Sequence, residues 1–180
     1  MLLTNWLKPL LSRQFWSLRV STSNRRRQTL LARYHPVSSV QRLEDRLLLS
    51  FHGWDIDEVF SSLDGTIQFI ELSNGDNFEQ FLSGQVFTTS SNVFVYSNDL
   101  PSQVTANTTF LMATSGFSVL PGAVTPDYVI PDNFFSVTGD TLDYASGTDV
   151  FTFTDGQLPL DGATSLFADL TTGTNSPKNF

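Results

Sequence analysis

From residue 55 onward the hydrophobic positions fall in runs of four to eight residues, rich in Val, Ile, Phe and Thr and separated by Asn, Asp, Gly, Ser and Pro. That texture predicts strands rather than helices. Eight are expected: Asp55–Phe60, Thr66–Leu72, Gln85–Thr89, Val93–Tyr96, Thr109–Thr114, Tyr128–Ile130, Thr141–Tyr144 and Val150–Thr154. In Val150-Phe151-Thr152-Phe153-Thr154 the alternation puts both phenylalanines on one face and the threonines on the other. Val93-Phe94-Val95-Tyr96 and Phe110-Leu111-Met112-Ala113 do not alternate, so both are expected to be buried on two sides. Leu63-Asp64-Gly65-Thr66 is the strongest hairpin turn, because Asp-Gly accepts positive φ. Strands of both kinds, spaced by turn signals, predict an all-β, antiparallel sandwich.

The first fifty residues follow another pattern. Leu2, Leu3, Trp6, Leu7, Leu10, Leu11, Phe15, Trp16 and Leu18 are interleaved with Lys8, Arg13 and Arg19 and interrupted by Pro9, which is neither a membrane span nor a standard signal peptide. Val40, Leu43 and Leu47 recur at helical spacing behind Ser39, a candidate N-cap, and predict a short amphipathic helix over Val40–Leu49. Residues 1–50 therefore read as a partly helical or disordered leader, 51–170 as the sandwich, and 171–180, poor in apolar residues, as a flexible tail or the start of a continuation.

Charge divides the chain at the same place. Nine of the ten basic residues precede position 47, with only Glu44 and Asp45 against them, whereas the remainder carries Lys178 and sixteen acids. A basic leader can contact anionic membrane or export machinery. The acidic body should repel nucleic acid and anionic lipid, since both are bound through Lys and Arg. The chain has no cysteine, and its two histidines are His35 and His52, so cysteine nucleophiles, thiolate metal sites and a Ser-His-Asp triad lack raw material.

Arg25-Arg26-Arg27 followed by Leu43-Glu44-Asp45-Arg46-Leu47-Leu48-Leu49-Ser50 resembles the N-terminal Leu-Glu-Pro/Asp-Arg-x-Leu-Leu segment of large exported proteins of planctomycete-type bacteria. The resemblance implies a sorting motif at Leu43, Glu44, Asp45, Arg46, Leu48 and Leu49, and a location outside the cytoplasm or at the cell surface. The charge run also fits a solvated helix in which Glu44 and Asp45 offset Arg42 and Arg46. In the body, Ile56-Asp57-Glu58-Val59, Asp64-Gly65 and Phe69-Ile70-Glu71-Leu72-Ser73-Asn74 stand in the order of the lamin-tail type of immunoglobulin-like domain. Phe81-Leu82-Ser83-Gly84, Phe110–Ala113 and Gly139-Asp140-Thr141-Leu142 are similar to its later pieces. This resemblance implies an immunoglobulin-like sandwich.

Two groups of residues could carry chemistry. If the hairpin closes at Asp64-Gly65, Glu58 and Glu71 approach cross-strand positions, where two carboxylates repel unless a cation or proton separates them. With Asp57 and Asp64 they are candidate calcium ligands, since calcium takes hard oxygen donors. Solvated surface acids and an acid-base pair are the competing readings. Tyr128, Phe134 and Phe135, beside Pro126-Asp127 and Pro131-Asp132-Asn133, form either a stacking platform for sugar or peptide or a cover over the sandwich core. The expected function is an exported, non-enzymatic structural, adhesion or ligand-binding protein with an extracellular protein or glycan partner. A secreted metal-dependent hydrolase, or an accessory domain of one, is the alternative.

Overall fold

The β-branched and aromatic runs in the described part of the chain pair as ten strands. The computed structural model describes residues 53–180, which belong to the unit Leu47–Phe180. The predicted helix Val40–Leu49, the arginine-rich leader and the motif from Leu43 to Leu49 lie outside the described residues. In chain order the elements are β1 (Trp54–Ser61), β2 (Gln68–Asn74), β3 (Val86–Thr88), β4 (Val93–Val95), β5 (Thr108–Thr114), the single-turn helix α1 (Ser115–Ser118), β6 (Tyr128–Ile130), β7 (Gly139–Tyr144), β8 (Asp149–Thr154), β9 (Thr164–Phe167) and β10 (Thr172–Thr174).

Six strands form the larger sheet, ordered β10-β9-β1-β2-β5-β6, and four the smaller, ordered β4-β3-β7-β8. The sheets meet through their inner faces. Trp54, Ile56, Val59, Ile70, Leu72, Phe110, Met112, Tyr128 and Leu166 of the larger sheet share one apolar cluster with Phe87, Leu142, Tyr144, Phe151 and Phe153 of the smaller. Alternation in β8 sends Phe151 and Phe153 into this core and leaves Thr152 and Thr154 exposed. Edge-to-face ring pairs run through it, among them Trp54–Phe110 at 4.7 Å and Tyr96–Tyr128 at 4.8 Å.

Each of the eight expected strands is present, with ends shifted by two residues at most. The structure adds β9 and β10, so residues 172–180 are a strand and a docked segment rather than a flexible tail. Their shortness and their Thr, Ser and Gly content hid them. One neighbour relation differs: β6 lies parallel to β5, because the connection through α1 carries the chain back across the sheet before it pairs. Val93 and Val95 are exposed, not buried on both sides, since β4 is an edge strand whose outer face is uncovered. Phe110 to Ala113 are buried on both faces, as their unbroken apolar run requires.

The β1–β2 connection spans residues 62–67, with Gly65 at φ +69° and its N–H donated to the Ser62 carbonyl. Beside it, Gln68 ties the 131–135 loop to the sheet. Its Nε2 donates to the Phe135 carbonyl at 2.9 Å, and its Oε1 accepts from the Phe134 N–H at 2.7 Å. Replacing Gln68 with Ala leaves these buried groups unpaired and should lower stability by about 2–4 kcal/mol. Urea unfolding checks this, and a loss below about 0.5 kcal/mol would show that the clamp is dispensable.

Candidate functional site

The central strands of the larger sheet are apolar on both faces, so the face turned away from the smaller sheet also needs cover. The register of β1 slips between Ile56 and Glu58, leaving Asp57 as the extra residue of a β-bulge. This resets the alternation: Val59 returns to the inner core while Glu58 and Phe60 turn to the outer face. There Phe60, Phe69, Leu111, Ala113 and Phe117 form a second apolar cluster. Phe60 and Phe69 stack at 5.2 Å, and Phe117, on α1, meets Phe69 edge-on at 5.5 Å.

Glu58 and Glu71 sit directly opposite one another on this face, both buried. Two adjacent carboxylates on a sheet destabilise it unless each finds donors. The donors come from the last residues of the chain. The Ser176 N–H donates to Glu58 Oε1 at 2.9 Å and the Ser176 hydroxyl to Oε2 at 3.0 Å. The Lys178 N–H donates to Glu71 Oε2 at 2.6 Å, and its ammonium stands 3.5 Å from Oε1. The Phe180 N–H donates to Asp127 Oδ2 at 2.9 Å, an oxygen that also accepts the Leu111 N–H. Residues 175–180 thus form an extended strap across β1, β2 and β5, its alternate N–H groups held by three carboxylates in turn. The side-chain amide of Asn179 fastens it further by donating to the Thr125 carbonyl at 3.1 Å.

Between the strap and the residues after α1 opens a pocket of about 560 Å³. Phe60, Phe69 and Phe117 form its floor, Leu120 to Val124 one wall, and Asn175, Ser176 and Pro177 the other. Its lining contains no ionisable side chain. The pocket was not legible in the sequence, because its walls come from segments more than 50 residues apart.

The proposed calcium ligands do not come together as one set. Glu58 and Glu71 pair beneath the strap, and every one of their four oxygens faces a strap donor. Asp64 lies on the hairpin turn beyond the Ser61–Gln68 pair, which is itself roughly 10 Å along the strands from Glu58 and Glu71 by the usual rise per residue. Its Oδ1 accepts from Ser62 Oγ and from the N–H and hydroxyl of Thr66, which hold its carboxyl below the usual range. Asp57 occupies the bulge, where its carbonyl accepts the Ala168 N–H. Among the described residues no three His, Asp or Glu side chains gather as a group that could hold a metal ion.

Tyr128, Phe134 and Phe135 are buried in the main core, so they offer no ring face to a ligand and the platform reading is corrected. Gln68, Thr89 and Asn92 bind the backbone of Phe134, which pulls the loop inward. Sequence reasoning missed these anchors, as it missed Asp127, Ser176 and Lys178. The available signal was a lone Gln in an apolar strand.

Burial pushes the Glu71 carboxyl above its ordinary value, the Lys178 amide and ammonium draw it down, and Glu58 pushes it up again; the net shift is upward. No family model, curated protein or solved structure matches this chain.

Phe134→Ala and Phe135→Ala should each cost about 3–5 kcal/mol in urea unfolding, as buried rings do; a ring with a ligand-facing role would cost almost nothing. For Glu71, the folded state takes up the proton more readily than the unfolded chain. Its contribution to stability is therefore fullest below the ordinary value of 4.5 and declines as pH rises through the raised folded value. Glu71→Gln should accordingly gain stability relative to the parent between pH 4 and pH 7. An identical difference at both pH values would contradict the assignment.

Proposed function

We propose that this chain is an exported, non-enzymatic β-sandwich protein with a binding role, and that the open pocket on the outer face of its larger sheet receives the ligand. The observation that carries this reading is the pocket: an apolar floor, a polar rim at Ser62, Asn175 and Ser176, and a size within the range of ligand sites. With no ionisable group in the lining, the matching ligand is uncharged where it enters. An apolar side chain of an extracellular protein fits better than a glycan, because sugars stack on exposed ring faces and the three floor phenylalanines are buried up to their edges. The rim adds apolar contact area through Leu120, which is 39% exposed.

The export reading rests on the Leu43–Leu49 motif and the arginines before it. The immunoglobulin-like reading of the sandwich is supported by the placement of three matching pieces, since Ile56–Val59, Phe69–Asn74 and Phe110–Ala113 lie side by side in β1, β2 and β5. The pair of buried carboxylates weighs against the hydrolase alternative, because the strap occupies the oxygens a substrate or metal would need.

Leu120→Arg places a charge at the pocket mouth without touching the core. The parent should bind an uncharged fluorescent probe such as Nile red saturably in its native state. The variant should bind at least about tenfold more weakly, the effect of roughly 1.4 kcal/mol of lost apolar contact and added desolvation, with an unchanged melting temperature. Equal binding by both would remove the pocket as the ligand site, and recovery of the full chain only from the cytoplasm of producing cells would remove the export reading.

A further inference from the structure

The outer face of the larger sheet is built to receive an extended chain segment. Glu58, Glu71 and Asp127 come from three separate places in the fold, yet they accept the N–H groups of residues 176, 178 and 180, the two-residue period of an extended strand. Among the described residues Ser176 and Lys178 supply all the donors that Glu58 and Glu71 have, so the pair needs a segment of this kind across it. The segment that fills the groove follows a single short turn that can serve as its hinge. Among the described residues β10 is an edge strand paired only with β9, and the turn between them runs from Ala168 to Thr171. Leu170 in that turn sits at φ +63° and is 47% exposed, a left-handed leucine held by the turn's own hydrogen bonds: its N–H to the Phe167 carbonyl, the Phe167 N–H to the Thr171 carbonyl, and the Thr171 N–H and hydroxyl to Asp169 Oδ1. Opening the turn lets Leu170 return to an ordinary conformation.

We infer that residues 172–180 exchange between copies of this chain, with the segment of one copy lying across Glu58, Glu71 and Asp127 of another. Each bond made within one copy is remade between two, and the N–H pattern that the groove recognises is present in every copy. What opposes exchange is the tether, which gives the chain's own segment an effective concentration in the millimolar range. Relief of the Leu170 turn works against that advantage, as it does in other hinge-mediated exchanges. The same segment forms one wall of the apolar pocket, so in the exchanged form each pocket is completed by its neighbour. The inference is independent of which ligand enters the pocket.

The test uses the full chain in two forms, one biotinylated and one fluorescent, mixed at about millimolar concentration, the range set by the tether. Capture of the biotinylated form should retain the fluorescent one. An excess of a synthetic peptide of residues 172–180 should abolish the retention. The same peptide N-methylated at the Ser176 and Lys178 amides lacks the two N–H groups that Glu58 and Glu71 accept, and should compete about a hundredfold more weakly. Absence of co-capture overturns the inference. Co-capture that resists the peptide, or yields equally to both peptides, also overturns it, because the copies would then be meeting through another surface.

Discussion

The larger sheet is apolar on both of its faces, and most of the architecture follows from that. β1, β2 and β5 carry large side chains inward to the smaller sheet and outward to the Phe60–Phe69–Phe117 cluster. A sandwich of two sheets covers one face of each and leaves the other to water. Here one outer face must be covered as well, and two short pieces of chain do it: the α1 connection and the 175–180 strap. The β-bulge at Asp57 belongs to the same constraint. Were β1 to alternate regularly through Asp57, with no bulge, Glu58 would turn into the main core and Val59 out of it, placing a charge among aromatic rings.

Two carboxylates facing each other in a buried row would ordinarily be a poor choice for stability, and apolar side chains of like volume would pack there at lower cost. What they add is direction. An apolar strap could slide along an apolar face, whereas N–H groups aimed at Glu58, Glu71 and Asp127 fix the strap's register to single residues. Because the strap also walls the pocket, that register sets the position of Asn175, Ser176 and Pro177 at its mouth. The electrostatic arrangement beneath the strap and the shape of the proposed ligand site are thus one structural feature.

Strands with apolar periodicity could be read directly from the chain, and the opposition of Glu58 and Glu71 followed from placing the Asp64-Gly65 turn. The rest depended on information that local pattern does not carry. Thr164–Phe167 and Thr172–Thr174 are too short and too polar to signal strands; the first forms on the edge that β1 offers, and the second on the edge that the first then offers. The parallel pairing of β6 is decided by a crossover. Phe134 and Phe135 follow turn residues typical of an exposed loop, yet Gln68, 66 residues away from Phe134, draws them inward. The pocket and the strap are assembled by contacts across more than 100 residues, such as Ser176 with Glu58.

The acidic balance of the body has a structural explanation that its sign alone would not suggest. Of the sixteen acids after residue 46, ten accept at least one backbone N–H: Glu58, Asp64, Glu71, Asp99, Asp127, Asp140, Asp143, Asp149, Asp161 and Asp169. Ten short strands in 128 described residues leave many turn N–H groups without a ladder partner, and a carboxylate satisfies such donors more strongly than a neutral acceptor. Asp140 illustrates this: burial pushes its carboxyl up, but hydrogen bonds from Ser90, Ser136 and Thr141 outweigh that and hold it low. A lysine could not replace any of these groups, since it only donates. Much of the acidity of the body thus goes into pinning loops, and the strap applies to a whole segment what Asp161 and Asp169 each do for one turn.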